Sequence, residues 1–103
     1  MVNKMEKGRR SMRKARKIAE SLGYLVFQIH HTRWQKDVFG LWDQIWVNKE
    51  GEVIWVQVKT NRVPSKKELA RYHLWCQEYK QKGLIVVIRD RKKPLFVTIW
   101  EKN

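Results

Sequence analysis

Residues 42–59 read WDQIWVNKEGEVIWVQVK, and this stretch constrains the fold more than any other. Two runs of strand-forming residues, Trp42 to Asn48 and Val53 to Lys59, flank Lys49-Glu50-Gly51, a three-residue hairpin loop whose glycine suits the left-handed position. The loop fixes the register: Asn48 pairs with Glu52, and counting outward puts Asp43 opposite Gln57. Because strand side chains alternate, Val53, Trp55, Gln57 and Lys59 share one face with Asp43, Ile45 and Val47. Near the turn this face is apolar. At the far end it becomes Asp43, Gln57 and Lys59, with cross-strand Cβ separations of about 4.5–5.5 Å.

The remaining patterns place this hairpin in an α/β (α+β) domain of order αβββαββ. Met12, Ala15, Ala19 and Leu22 recur at helical spacing and Gly23 sits where a helix stops, so a first helix precedes the strand Tyr24 to Ile29. That strand, YLVFQI, reads as buried on both faces, and His30 to Gly40 reads as a polar loop. After the hairpin, Ser65 caps a second helix with the stripe Leu69, Tyr72, Cys76 and Tyr79 and with Gly83 as its stop. Leu84 to Arg89 and Leu95 to Trp100 are the last strands, joined by the turn Asp90 to Pro94. With no repeat and no linker, residues 1–103 form a single domain.

Charge narrows the partner. The chain carries 23 Lys and Arg against 10 Asp and Glu, a formal net charge of +13, which calls for a polyanion, foremost nucleic acid. No apolar run is long enough to span a membrane. The basic N-terminus is not followed by the apolar stretch of a secretory signal, and the single cysteine, Cys76, cannot form an internal disulfide; both fit an intracellular protein of the cytoplasm or nucleoid, cellular or viral. Cys76 reads as a small buried apolar residue.

The polar end of the hairpin has two readings. In one it is a solvated strand end whose Asp–Lys pair is worth about 0–1 kcal/mol. In the other it is a hard-cation site: Asp43 gives a carboxylate, the Gln57 side chain and the Val58 backbone carbonyl give neutral oxygens, and Mg²⁺ (or Mn²⁺) completes its shell with water and phosphate. Lys59 then orients or deprotonates the attacking water, or stabilises charge in the transition state.

Residues 40–60, GLWDQIWVNKEGEVIWVQVKT, resemble the PD-(D/E)xK nuclease motif, in which an Asp on one strand is followed across a hairpin by (D/E)-x-K, here Gln57-Val58-Lys59. With Lys7-Gly8 opening the first helix and Gly23-Tyr24 leading into the first strand, the chain is most similar to the archaeal-type Holliday junction resolvases. The resemblance implies a restriction-endonuclease-like αβββαβ core with a mixed sheet between helices, and Asp43, Gln57 and Lys59 as catalytic residues. It further implies metal-dependent hydrolysis of DNA, four-way junctions as substrate and a homodimer. Two positions depart from the pattern: Met12 stands where the family carries a Glu, and Gln57 where it carries an acid. A second metal carboxylate then comes from elsewhere, Asp37 first, with Glu20 or Glu6 behind it.

DNA contacts are expected from Arg9, Arg10, Arg13, Lys14 and Lys17 on the first helix, where six Arg or Lys fall within nine positions. Arg33 and Lys36 before the motif, and Arg62, Lys66 and Lys67 after it, flank the site. His30 and His31, adjacent on a strand end, point to opposite sides and make no metal pair. Of the six tryptophans most are expected in the core; Trp46 falls on the face opposite Asp43, to pack under a helix, whereas Trp34 and Trp42, beside the loop, could instead stack on bases or on a second subunit. Two alternatives stay open: a restriction-like, nicking or flap endonuclease of the same fold, and a non-catalytic DNA-binding module.

Overall fold

The computed structural model describes residues 4–28 and 41–100. Its elements are α1 (Lys4–Ser21), β1 (Leu25–Gln28), β2 (Gln44–Val47), β3 (Val53–Thr60), α2 (Lys66–Tyr79), β4 (Lys82–Ile88) and β5 (Leu95–Thr98), in the expected αβββαββ order. Among the described residues the strands form one mixed sheet in the order β1-β2-β3-β4-β5. Every pairing is antiparallel except β3 with β4, which α2 joins as a crossover. Ile29, His30, His31, Arg33, Trp34, Lys36 and Asp37 lie outside the described residues, and with them what the sequence leads one to expect of that loop.

The hairpin has the register its loop dictates. Asn48 N–H donates to the Glu52 carbonyl at 3.1 Å, Gly51 takes φ 83°, and pairing runs from Val47↔Val53 to Gln44↔Val56. Alternation along β3 then feeds two cores. Ile54 and Val56 meet Ala15 and Ala19 of α1, together with Trp46, Val86 and Ile88, so Trp46 does pack under a helix. Trp55 turns to the opposite side, where Trp42, Tyr72, Cys76, Ile85, Val87 and Ile99 gather beneath α2. Full burial of each Val or Ile among these contributes about 1.5–3 kcal/mol.

Several expectations are corrected by tertiary packing. β1 is an edge strand buried on one face only: Val26 turns toward α1, while Leu25 and Phe27 are 79% and 62% exposed. Leu22 and Tyr79, counted as stripe residues, are exposed, Leu22 because α1 ends at Ser21 and Tyr79 because it is the last residue of α2. Gly83 does not stop α2. The helix is capped by Lys80 in the left-handed conformation, φ 54° and ψ 47°, and Gly83 lies inside β4, where a Cβ would stand 2.7 Å from Trp42 Cη2 and 2.8 Å from Cys76 Sγ. Trp42 is not available to bases: it is fully buried, with ring centroids 5.1 Å from Tyr72 and 5.4 Å from Trp75.

Candidate active site

Asp43 ends the β2–β3 ladder. Its backbone N–H donates to the Val56 carbonyl at 2.8 Å, and its own Oδ2 accepts from Val58 N–H at 3.0 Å. A side-chain oxygen thus satisfies a β3 donor, which places the carboxylate against the C-terminal half of that strand. Asp43 is 7% exposed. With the Gln57 amide oriented to suit its surroundings, its nitrogen donates to the Leu41 carbonyl at 2.5 Å and to Asp43 Oδ2 at 3.0 Å. Asp43 and Gln57 are therefore brought together, as the hairpin count requires.

Lys59 comes next on the same face of β3. Its ammonium, 8% exposed at the side chain, lies 2.7 Å from Glu68 Oε2, and Arg62 approaches the same oxygen at 3.5 Å. Glu68 also belongs to the capping box of α2: its backbone N–H donates to Ser65 Oγ at 3.2 Å, and its Oε1 accepts from Ser65 N–H at 3.5 Å. The hydrogen bond from Lys59 is the main reason the Glu68 carboxyl is held below the usual carboxylate range; burial opposes it, and the Lys59 and Arg62 charges assist. Glu68 is the residue that sequence reasoning missed. Its signal was present, since Ser65-Lys66-Lys67-Glu68 is a capping-box sequence directly after the motif lysine.

α1 closes the opposite face of the sheet. Ser11 Oγ and Thr60 Oγ1 share a hydrogen bond of 2.6 Å, and buried Gln44 donates through Nε2 to the Met12 carbonyl at 3.0 Å. Trp46 Nε1 donates to Gln44 Oε1 at 2.9 Å, so the Gln44 amide is used at both ends. Met12 is thus a buried packing residue beside the strand that follows Asp43. Glu20 is not brought to the site. It lies eight residues further along α1, about 12 Å at 1.5 Å per residue, and faces Arg16 at 3.8 Å.

Among the described residues no three His, Cys, Asp or Glu side chains group as a metal cage. What Asp43, Gln57 and Val58 offer is oxygen of the hard type: one carboxylate, one amide and one backbone carbonyl. That set fits Mg²⁺, which is commonly held by one or two carboxylates with the rest of its shell from water and substrate phosphate. It requires the Gln57 amide to turn its oxygen toward Asp43. Cys76 takes no part: burial pushes its thiol up to about 11, leaving it neutral in the α2 core.

This fold has a counterpart among solved structures. The chain is similar in fold to Hjc, a Holliday junction resolvase from the archaeal hyperthermophile Archaeoglobus fulgidus. The TM-score is 0.64 at 16% sequence identity, over 89% of this chain and 72% of that one. No family model matches the chain, and no curated protein does. The likeness establishes the restriction-endonuclease-like α+β fold. The basic residues expected to touch DNA are also where contact is possible: Arg9, Arg10, Arg13, Lys14 and Lys17 on α1, Arg62 after β3, and Lys66 and Lys67 at the start of α2 are all exposed.

Proposed function

We propose that the protein is a metal-dependent, structure-selective DNA endonuclease that nicks four-way junctions symmetrically by phosphodiester hydrolysis. The observation that carries this reading is a buried, ion-paired lysine, Lys59, on the strand whose Val58 N–H binds the buried Asp43 carboxylate, at the end of a sheet with the fold of a Holliday junction resolvase. Asp43, the Gln57 side-chain oxygen and the Val58 carbonyl would hold Mg²⁺ or Mn²⁺, with Asp37 as the candidate second carboxylate. The metal, when bound, supplies Lewis-acid stabilisation of phosphoryl oxygens and a more acidic water.

The protein's own groups do the positioning. Glu68 occupies one donor of the Lys59 ammonium and fixes its direction, leaving two N–H groups for a phosphate oxygen or the attacking water. Arg62, 68% exposed at its side chain and anchored on the same carboxylate, is placed to meet the scissile strand or its neighbour. Burial of Lys59 keeps bulk water from screening its charge. A two-fold dimer with one site per subunit matches the two symmetric strands of a junction.

A second reading has its own observation. The Gln57 amide nitrogen stands on Asp43 Oδ2, where a metal-binding site needs an oxygen, and this favours a non-catalytic DNA-binding module that keeps the fold. Incubating the protein with a four-way junction, a duplex and a flap, each in Mg²⁺ and in EDTA, separates the two. Symmetric nicking of the junction in Mg²⁺ alone supports the endonuclease. Cleavage of all three substrates removes junction selectivity, and tight binding without cleavage in Mg²⁺ or Mn²⁺ establishes the module.

A further inference from the structure

The parallel pairing of β3 with β4 brings a segment to the candidate site that hairpin counting leaves remote. Lys59 pairs with Val87 and Thr60 with Ile88, so the turn that follows β4 lies at the same end of the sheet as Gln57 and Lys59. That turn reads Arg89-Asp90-Arg91-Lys92-Lys93, four cations around one acid.

The turn is held from several directions. Asn61, at φ 55° just beyond β3, donates its N–H to the Ile88 carbonyl at 2.8 Å, and its side chain grips Asp90 twice, accepting from Asp90 N–H at 2.8 Å and donating to Oδ2 at 2.9 Å. Arg89 closes the other side, its Nε and Nη2 donating to the Lys93 carbonyl at 2.9 and 2.6 Å. Lys7 of α1 completes the lock by pairing with Asp90 at 3.4 Å. The one acid of the turn is therefore committed to Asn61 and Lys7. Arg91, Lys92 and Lys93 are exposed and have no ion pair among the described residues.

The same contacts make the turn continuous with α1. Lys7, Arg10 and Lys14 recur at three- and four-residue spacing and so share one side of the helix. The Asn61 amide first, then the Lys7 ammonium and to a smaller degree the Lys14 charge, hold the Asp90 carboxyl below the usual carboxylate range. A fixed group of cations in which the one acid of the turn is already occupied has the chemistry of a phosphate-backbone contact, which neutralises charge without reading sequence. Its solvated alternative gains nothing from the five hydrogen bonds that fix the turn's shape.

We propose that the β4–β5 turn is a DNA-backbone clamp: Lys92 and Lys93, with Arg91 beside them, contact phosphates and, with the Lys7–Arg10–Lys14 side of α1, hold one DNA segment across the sheet end that carries Asp43 and Lys59. Arg62, Lys66 and Lys67 are left for a second segment. The proposal rests on the reading above only for the identity of the ligand as DNA, and it requires no cleavage.

The test is therefore a binding measurement in EDTA, with junction affinity followed against salt. Lys92→Ala/Lys93→Ala is compared with Lys49→Ala/Lys80→Asn, which removes the same formal charge from the opposite end of the sheet and leaves asparagine where Lys80 needs the left-handed conformation. The clamp predicts that the first pair binds several-fold more weakly and that its slope of log affinity against log salt is shallower by about 2, at roughly 0.9 per lost phosphate contact. The control pair should keep the wild-type slope, and both pairs the wild-type melting temperature. Equal slopes for the two variants, or an unchanged slope for the first, overturn the clamp. Absence of cleavage by the wild type bears on the endonuclease reading alone, because no cleavage enters this measurement.

Discussion

Replacing Gln57 with Glu puts the metal-site geometry to a quantitative test. The Gln57 nitrogen lies 3.0 Å from Asp43 Oδ2 and 2.5 Å from the Leu41 carbonyl, so an isosteric carboxylate exchanges two hydrogen bonds for two oxygen–oxygen contacts. Two unit charges about 4 Å apart repel by about 4 kcal/mol at an effective dielectric of 20. Relaxation and proton uptake by one carboxyl reduce this, so the expected loss in EDTA is roughly 2–4 kcal/mol. For a domain of about 100 residues each kcal/mol moves Tm by about 4–8 °C, and the variant should melt on the order of 10 °C or more below wild type. Mg²⁺ should reverse this, because it binds the folded two-carboxylate site and not the unfolded chain; at a hundred times Kd it returns about 2.7 kcal/mol. Melting curves followed by circular dichroism in EDTA and across a Mg²⁺ titration read both effects. A variant that melts with wild type in EDTA, or that responds to Mg²⁺ no more than wild type does, refutes the placement of Gln57 beside Asp43 as a metal-binding pair.

Other expectations are more local. Gly83→Ala drives a methyl group against Trp42, Cys76 and Ile99, and denaturant unfolding should show a loss of about 1–3 kcal/mol; a neutral result would mean that the α2 core is looser than these contacts require. For Glu68 the folded carboxyl is held below its unfolded value. Its contribution is therefore present above the unfolded value and is lost as pH falls through the folded one. Glu68→Gln should thus be less stable than wild type at neutral pH, with the gap closing on acidification below about pH 4; a gap that widens in acid contradicts the Lys59 pairing. Cys76 should resist alkylation at pH 8 until the domain unfolds, and rapid labelling of the native protein would show that its thiol is reached without unfolding.

The hairpin was the most legible part of the chain. Its loop fixes the count that sets Asp43 beside Gln57, and period-two alternation put Trp46 on the opposite face, the one that α1 covers. What escaped the sequence depends on contacts distant in the chain. Gly83 has the look of a helix stop because glycine often serves as one, and only the Trp42 ring across the sheet shows why it must be glycine inside β4. Trp42 itself borders a polar loop, yet α2 covers it. β1 has an apolar sequence that suits a central strand but lies at the edge, a distinction that strand order decides and composition does not. The same is true of the Arg89–Lys93 turn, which joins the candidate site only through the parallel β3–β4 pair. Glu68 was readable as a capping residue, whereas its reach to Lys59 needed the relative placement of α2 and β3.

The central claim is that Asp43 and Lys59 form a hydrolytic site on a DNA-binding scaffold. Its most direct test is nicking of a labelled four-way junction in Mg²⁺ by wild type, Asp43→Ala and Lys59→Ala, with binding of each to the same junction measured in parallel. Wild type should nick two opposed strands symmetrically, and both variants should lose nicking while their junction affinity stays within a few fold. Nicking at the wild-type rate by either variant, or no nicking by wild type in Mg²⁺ or Mn²⁺, contradicts it.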